Sequence, residues 1–594
     1  MRYKRLSTEG RKGFMHTGTD KDKTNVIYTL TANCQDCYRC VRVCPVKAIR
    51  VSNGQAYIQD ELCIKCGTCV RECPQGAKTI RSGIDDVKEL LSSGRKVAAS
   101  VAPSFPALFS GWRSLRLPSA LRLLGFSYIS ETAEGASIVA DKAYEVREKG
   151  SICTACPAVV NYIEKYRNEY IDRLMPIVSP MIAHGRLLKK RLGDDWAVVF
   201  IGPCAAKKHE ALRPEHEGII DGVLTFAELL KWMEEEGIDL ATCSESGFES
   251  EGDLRSARLF PLEGGMLKTA NISYDGTNAD ALCISGNENV IELLDVPAEE
   301  WGYNIVEPLF CSGGCINGPC LPSKKKRFRR KQELCDFSAS TTAILKVRGN
   351  AEIDCCTDFR DETASVAPEA ISESRINEIL EETGKGDPAL QLNCGACGYK
   401  SCRENAMAVA RGMAEPDMCM PYMRRLAQQR TDIIIETSPN GVVVLDDHLH
   451  IMHMNPAFQE LFSCNNSLLG RHISCLLDVD SFEQLASGHT NTRDSIRMKD
   501  GIKYHEVAYT LKEEKQYVGI YTDVSDLKFD KNQIDAIRNQ TLEHVRELLY
   551  HQIDFSQKMA HYLGKSTAES EELVKKITNL YDGENRFNAG GVES

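Results

Sequence analysis

A chain of 594 residues is too long for one hydrophobic core, and its length corresponds to about four domains. Its 42% hydrophobic and 26% charged residues are ordinary for a globular protein, and no apolar run approaches the roughly 18 residues needed to span a bilayer. A formal charge of −12 argues against general nucleic-acid binding, because nothing in the chain as a whole attracts phosphate.

The N-terminal stretch MRYKRLSTEGRKGF is basic with no apolar segment behind it, so it is not a secretory signal and reads as a flexible tail over 1–25. The 25 cysteines are concentrated in tight C-x2-C groups, which suit metal ligation better than a disulfide framework in so large a chain. Together these features point to a reducing cytoplasm.

Residues 26–80 hold two similar units about 29 residues apart. Cys34, Cys37, Cys40 and Cys44 form C-x2-C-x2-C-x3-C before Pro45, and Cys63, Cys66, Cys69 and Cys73 repeat it before Pro74. In this arrangement three cysteines wrap one [4Fe–4S] cubane and the fourth crosses to the other. The expected sets are therefore Cys34, Cys37, Cys40 and Cys73, and Cys63, Cys66, Cys69 and Cys44. A pair of structural zinc sites is the competing reading, but zinc motifs rarely place three cysteines at two-residue gaps with a fourth before proline.

Residues 84–345 alternate apolar strand-like runs (VAASVAPSF, WAVVFIGPC, ADALCISG) with amphipathic segments, an α/β pattern. Three short cysteine segments lie within it: TACP (Thr154–Pro157), GPCAAKKHE (Gly202–Glu210) and EPLFCSGGCINGP (Glu307–Pro319). In this order behind a two-cubane unit they resemble the signature segments of [FeFe]-hydrogenases, over roughly residues 26–345. The resemblance implies an H-cluster, a cubane joined through one shared thiolate to a diiron unit with CO, CN⁻ and a bridging dithiolate. Its ligands would be Cys156, Cys204, Cys311 and the shared Cys315. Lys207 would serve one cyanide, and Ala102, Pro103 and Ser104 the other, while Gly313 and Gly314 would let the backbone approach the cluster. A cubane without the diiron unit, or simply buried thiols, are the bland alternatives; related eukaryotic iron–sulfur proteins keep the cysteines without diiron.

The chain departs from fast members of that family. They read TSCCP in the first segment, where the first cysteine relays protons; Ala155 stands there and can neither donate nor accept one. Gly202 and Leu309 occupy positions where fast enzymes carry methionine. Glu210 matches a family carboxylate, whereas Asp141 and Glu145 are the nearest candidates for two relay glutamates and read better as solvated helix charges. Cys153 points elsewhere in this reading. The set resembles the sensory subgroup of the family. The basic run SKKKRFRRK (Ser323–Lys331) reads as a solvated loop or redox-partner patch, with nucleic acid disfavoured.

Residues 346–388 are acidic and polar, a linker with one short helix (SESRINEILEE). Cys394, Cys397, Cys402 and Cys419 give C-x2-C-x4-C-x16-C over 389–428, similar to the single-cubane domain of membrane-linked electron-transport subunits and corrinoid iron–sulfur proteins, with zinc as the alternative. Residues 433–523, from ETSPNGVVVLDDHLHIMHMNPAFQELF through paired strand-like runs, resemble a PAS domain. His448, His450 and His453 read as exposed hairpin residues rather than haem ligands, and no PAS ligand is assigned. The periodic segment 526–581 predicts helices that form a dimer seam or dock an output partner.

The expected architecture is a multidomain α+β chain: a two-cubane ferredoxin-like domain, an α/β H-cluster domain, a small [4Fe–4S] domain, a PAS α+β domain and C-terminal helices. The expected function is a hydrogen or redox sensor. It would react slowly with H2 at the H-cluster, exchange electrons with a partner such as ferredoxin, and report to a kinase, phosphatase or regulator. A homodimer could form through the PAS domain or the C-terminal helices. A working ferredoxin-linked hydrogenase and an electron-relay regulator without diiron are the alternatives.

Overall fold

In the computed structural model, which describes residues 25–274, 280–340, 353–367, 370–488, 490–511 and 515–525, each N-terminal cysteine loop feeds a five-residue helix, Arg39–Val43 and Thr68–Glu72. Strands β1 (Ile27–Thr29), β2 (Ile49–Ser52), β3 (Gln55–Ile58) and β4 (Lys78–Ile80) frame them. β1 pairs with β4 and β2 with β3, both antiparallel. Asn53-Gly54 turns the β2–β3 hairpin with both residues at positive φ, the geometry that matches strand twist. Buried Lys78 ties the β1–β4 pair to that hairpin, its Nζ donating to Thr29 Oγ1 at 2.6 Å and to the Ala56 carbonyl at 2.5 Å.

The central domain contains β5 (Val97–Val101), β6 (Tyr128–Glu131), β7 (Ser151–Ile152), β8 (Ala197–Gly202), β9 (Gly222–Thr225), β10 (Ala281–Ser285) and β11 (Ile305–Leu309). They form a four-stranded parallel sheet, order β6-β5-β8-β9, and a three-stranded parallel sheet, order β10-β11-β7. Helices cover the sheets, so β5, β8 and β11 are buried along their whole length, on both faces rather than on alternate residues, with Ser100 and Glu307 the polar exceptions.

The basic run after the third segment is helical from Arg327, in the helix Arg327–Ser340, rather than a loop. Its Arg, Lys, Gln and Glu residues favour helix, and Arg329 pairs with Glu333 one turn on at 2.9 Å. The acidic segment read as a linker runs along the central domain. Val178 donates to the Cys355 carbonyl at 2.9 Å, Arg186 reaches the Asp354 carbonyl at 2.7 Å, and Glu362 N–H reaches the Glu164 carbonyl at 2.8 Å. Cys355 is buried in the core and its neighbour Cys356 is exposed. Beyond them the helices Glu373–Glu382 and Cys402–Ala410 pack through Ile376, Ile379, Leu380, Cys402 and Ala406.

These elements belong to a first unit, Met1–Met418; the second is Cys419–Ser594. In the second unit, β12 (Gly441–Leu445), β13 (Ile451–Met454), β14 (Thr492–Lys499), β15 (Ile502–Leu511) and β16 (Gln516–Asp523) make an antiparallel sheet, order β13-β12-β16-β15-β14. Asn455 caps the helix Pro456–Leu461: its Oδ1 accepts from Phe458 and Val442, and its Nδ2 donates to Ile435 and Asn440 carbonyls. Phe458, Phe462, Tyr504 and Tyr521 stack edge-on or tilted in the core. The C-terminal helical segment expected over 526–581, and the tail expected over 1–25 save its last residue, lie outside the described residues.

Candidate metal centre

The thiols of the N-terminal domain gather in two groups. Burial pushes Cys40 up to about 11; Lys78 opposes this, while Cys37, Cys34 and Cys73 reinforce it by repulsion. Cys44 is pushed up to about 12 by burial and then by Cys66 and Cys63. Burial likewise raises Cys69, with Cys66, Cys63 and Cys44 adding to it. The late cysteine of each motif thus stands beside the triplet of the other. Backbone N–H groups of Ala48, Lys65 and Ala77 point at the sulfurs of Cys44, Cys63 and Cys73 at 3.3, 3.4 and 3.3 Å, bonds of the kind that tune a cluster potential.

In the central domain the signature segments leave the carboxyl ends of parallel strands, where open α/β sheets bind their ligands: Ala102–Ser104 after β5, Ala155 and Cys156 after β7, Cys204 after β8, Cys311 and Cys315 after β11. All of these, with Lys207, line one cavity of about 90 Å³, and Cys66 of the N-terminal domain joins them. Thiols so buried resist ionisation: burial, Cys156 repulsion and partial relief from Lys207 leave Cys204 at about 11. Cys311 and Cys315 are raised further, by burial first and then by the other cavity cysteines. Four thiolates can share this space only if a cationic centre neutralises them. Ser104 is 1% exposed and its Oγ has no hydrogen-bond partner, an orphaned donor suited to an acceptor ligand in the cavity. The donor set fits an iron–sulfur group with polar ligands.

Lys207 Nζ pairs with Glu210 at 2.7 Å, and its next carbonyl, Ala155, is at 3.5 Å. Both side chains are nearly buried, so Lys207→Met should strand the carboxylate and cost about 3 kcal/mol. The double change Lys207→Met with Glu210→Gln should recover most of that, measured by anaerobic denaturant unfolding.

Gly313 and Gly314 are crowded by neighbouring protein. A Cβ on Gly314, at φ +90°, would lie 2.1 Å from the Pro261 carbonyl oxygen, and one on Gly313 would strike Arg327 and Asn317 at 2.9 Å. Space at Gly202 is taken by the Phe200 ring, 2.6 Å from where a Cβ would sit. Asp141 and Glu145 are exposed on the helix Ala133–Val146, and Glu145 pairs with Lys142 at 2.9 Å, in keeping with solvated charges.

Residues whose environment no motif signals are also present. Glu307 on β11 is 3% exposed and is raised from 4.5 to about 7, by burial first, against N–H bonds from Met266 and Leu267 at 3.1 Å. Between those two pH values only the folded chain keeps this proton, so rising pH should erode stability across that window by up to about 3 kcal/mol. Glu307→Gln should flatten the loss, seen as a smaller shift in unfolding midpoint between about pH 5 and about pH 8.

The third group starts at a loop docked on the N-terminal domain. Arg42 donates to the Ala396 carbonyl at 3.1 Å and to that of Cys37 at 3.0 Å, and Lys47 donates to the Gly398 carbonyl at 2.7 Å. Gly398, at φ +95°, lies so close to Val41 that a Cβ would come within 2.9 Å of it. Cys394 is exposed, Cys397 half-buried and Cys402 buried; Cys419, in the second unit, is buried at the start of the helix Met420–Glu436. Among the described residues no three cysteine, histidine or carboxylate side chains close to the spacing of a single ion. In the second unit, His448, His450 and His453 side chains are 77%, 43% and 43% exposed and face Asp447, Asp446 and Glu436.

Family models match in the same order along the chain: a 4Fe-4S dicluster domain at 26–87, the C-terminal domain of the iron only hydrogenase large subunit at 95–319, an Fe-S cluster segment at 391–421 and a PAS domain at 427–496. The periplasmic [Fe] hydrogenase large subunit of Nitratidesulfovibrio vulgaris is 27% identical over 52% of this chain and 90% of its own. Iron hydrogenase 1 of Clostridium pasteurianum is 28% identical over 54% of this chain and 70% of its own. Cytosolic Fe-S cluster assembly factor NAR1 of Vanderwaltozyma polyspora is 35% identical over 20% of this chain and 24% of its own. A solved variant of [FeFe]-hydrogenase HydA1 from Chlamydomonas reinhardtii aligns over 48% of this chain and all of its own, at 17% identity and a TM-score of 0.37.

The cysteine segments fall within the matched domains, which places iron–sulfur domains of hydrogenase type in the first part of the chain. Its central domain is the C-terminal domain of an iron-only hydrogenase large subunit, joined in one chain to a 4Fe-4S dicluster domain, a further Fe–S segment and a PAS domain. No helix among the described residues is long and apolar enough to cross a membrane.

Proposed function

We propose that this protein is a cytoplasmic sensor of hydrogen or redox state. Cys156, Cys204, Cys311 and Cys315 hold an H-cluster, with Lys207 and the segment Ala102, Pro103, Ser104 around its diiron part. When bound, that group supplies reversible cleavage of H2 into protons and electrons. The observation that carries the reading is Ala155: the cavity wall beside Cys156 presents a methyl group where a proton donor would speed turnover.

Two cubanes, held by Cys34, Cys37, Cys40 and Cys73 and by Cys63, Cys66, Cys69 and Cys44, carry the electrons. The place of Cys66 on the cavity wall supports the second set as the neighbour of the H-cluster. A further [4Fe–4S] cluster at Cys394, Cys397, Cys402 and Cys419 extends the path, supported by the docking of Ala396 and Gly398 on the helix that carries Cys40. A ferredoxin is the expected redox partner. The PAS domain and the segment after it pass the state to a kinase, phosphatase or regulator, and either can form a homodimer.

Infrared spectra of protein matured with the diiron unit test this reading, because CO and CN⁻ bands arise from no cubane or amino acid. Bands with slow hydrogen turnover are expected. A high specific activity would make the chain a working hydrogenase instead. The similarity to a cytosolic Fe-S cluster assembly factor supports a second reading, an iron–sulfur redox regulator without diiron, and bands absent from matured protein would favour it over the first.

A further inference from the structure

The cavity beside Ala155 has one hydroxyl besides Ser104 that leads outward. Thr132, just after β6, lines it and is 2% exposed. Its Oγ1 is 2.7 Å from Ser100 Oγ on β5, which is 2.7 Å from His184 Nδ1. His184 belongs to the helix Pro180–Leu192 and is fully buried. Its Nε2 lies 3.2 Å from Glu134 Oε2, with Ser130 Oγ at 3.1 Å. Glu134 also accepts from Arg191 at 3.0 and 3.2 Å and from Glu251 N–H at 2.9 Å. The Arg191 and Glu251 side chains are 22% and 30% exposed, so this end of the chain of groups opens to water.

The chemistry of each group gives the bonds a common direction. Burial alone would raise Glu134, but His184 and Arg191 overcome it and hold the carboxyl below its ordinary range, so it is an acceptor. That places the imidazole proton on Nε2, leaving Nδ1 to accept from Ser100, whose oxygen accepts from Thr132. Every donor points from the cavity toward the surface. A structural histidine needs only one satisfied nitrogen on each side; it does not need two hydroxyls in series ending on a cavity wall.

We propose that Thr132, Ser100, His184 and Glu134 form a proton wire that connects this cavity to solvent in place of the missing thiol, resting on the hydrogen chemistry proposed above. A proton accepted by Thr132 Oγ1 displaces that group's own proton to Ser100. The Ser100 proton then moves to His184 Nδ1, and the Nε2 proton moves to Glu134 and on to water. One proton crosses for each passage, only O–H and N–H bonds change, and the electrons leave separately through the cubanes. The hydroxyls must then rotate back and the imidazole must recover its tautomer, with Ser130 as a competing partner. Such a wire conducts slowly, as a sensor allows.

The test uses the full matured chain. In the parent, the infrared difference between hydrogen- and argon-equilibrated protein should contain a carboxyl signal that moves in D2O and is lost in Glu134→Gln. Thr132→Val and Ser100→Ala should keep the CO and CN⁻ bands, lose that carboxyl signal and slow hydrogen–deuterium exchange at least about tenfold; Thr132→Ser should restore both. A carboxyl signal and exchange rate unchanged in Thr132→Val and Ser100→Ala, with the bands intact, would overturn the wire and leave the diiron reading standing. A parent without CO and CN⁻ bands would overturn both.

Discussion

Replacing Ala155 with cysteine is expected to raise hydrogen turnover of the matured protein by about 10²-fold. The residue lines the cavity next to Cys156, so the new thiol faces the space where the proposed reaction would exchange protons. A cysteine adds one heavy atom at a cavity wall, which keeps the packing cost small. Beside thiols that burial raises, it should sit above its ordinary value near 8.5 and stay protonated, ready to donate to the cavity. The cysteine two residues earlier cannot already do this. Cys153 is buried outside the cavity lining, beside Glu307 and Cys283 on the three-stranded sheet. Hydrogen uptake with an artificial electron acceptor measures the change. A rate equal to the parent's would show that the lost thioethers at 202 and 309, rather than the missing thiol, limit turnover.

Cys315→Ser should abolish both the CO and CN⁻ bands and hydrogen turnover while leaving the paramagnetic signals of the N-terminal cubanes. The thiol sits at a backbone turn held by its own N–H bond to the Pro261 carbonyl at 2.7 Å. Burial raises it, Cys156 and Cys204 raise it further, and Lys207 pulls the other way, the environment of a ligand whose charge a metal must take up. A serine there keeps the shape but offers a hard oxygen that binds this iron unit poorly. Cys320→Ser is the control: Cys320 is buried but absent from the cavity lining, and its replacement should leave the bands in place. Retained bands in Cys315→Ser would remove it from the ligand set.

What could be read from the sequence was chemistry encoded over a few residues. Cysteine spacings persist because a cubane demands them locally, and the signature segments around Cys156, Cys204 and Cys311 stand out by composition alone. The order of the domains was equally legible, since each has its own periodicity or motif. The wire was not. His184 lies in an apolar helical stretch, PMIAHGRLL, that reads as core, and its partners Ser100 and Glu134 are 84 and 50 residues away. Only the packing of two helices against one sheet edge brings them together. The crowding at Gly314 was hidden for the same reason: the atom a side chain there would strike, the Pro261 carbonyl oxygen, belongs to a distant loop. Docking of Asp354 and Cys355 on the central domain depends on Arg186 and Val178, which an acidic composition does not reveal.

The Phe200 ring that fills the space above Gly202 also sets the order in which this pocket could be altered. Gly202→Met by itself would press against the Phe200 ring, with the Ala102 Cβ also only 3.1 Å from where its own Cβ would sit. Position 200 has to become smaller first, and the two changes are then cooperative rather than additive. A lineage or an engineer placing a thioether at 202 must therefore cross a pairwise epistatic barrier, because the two changes have to come together.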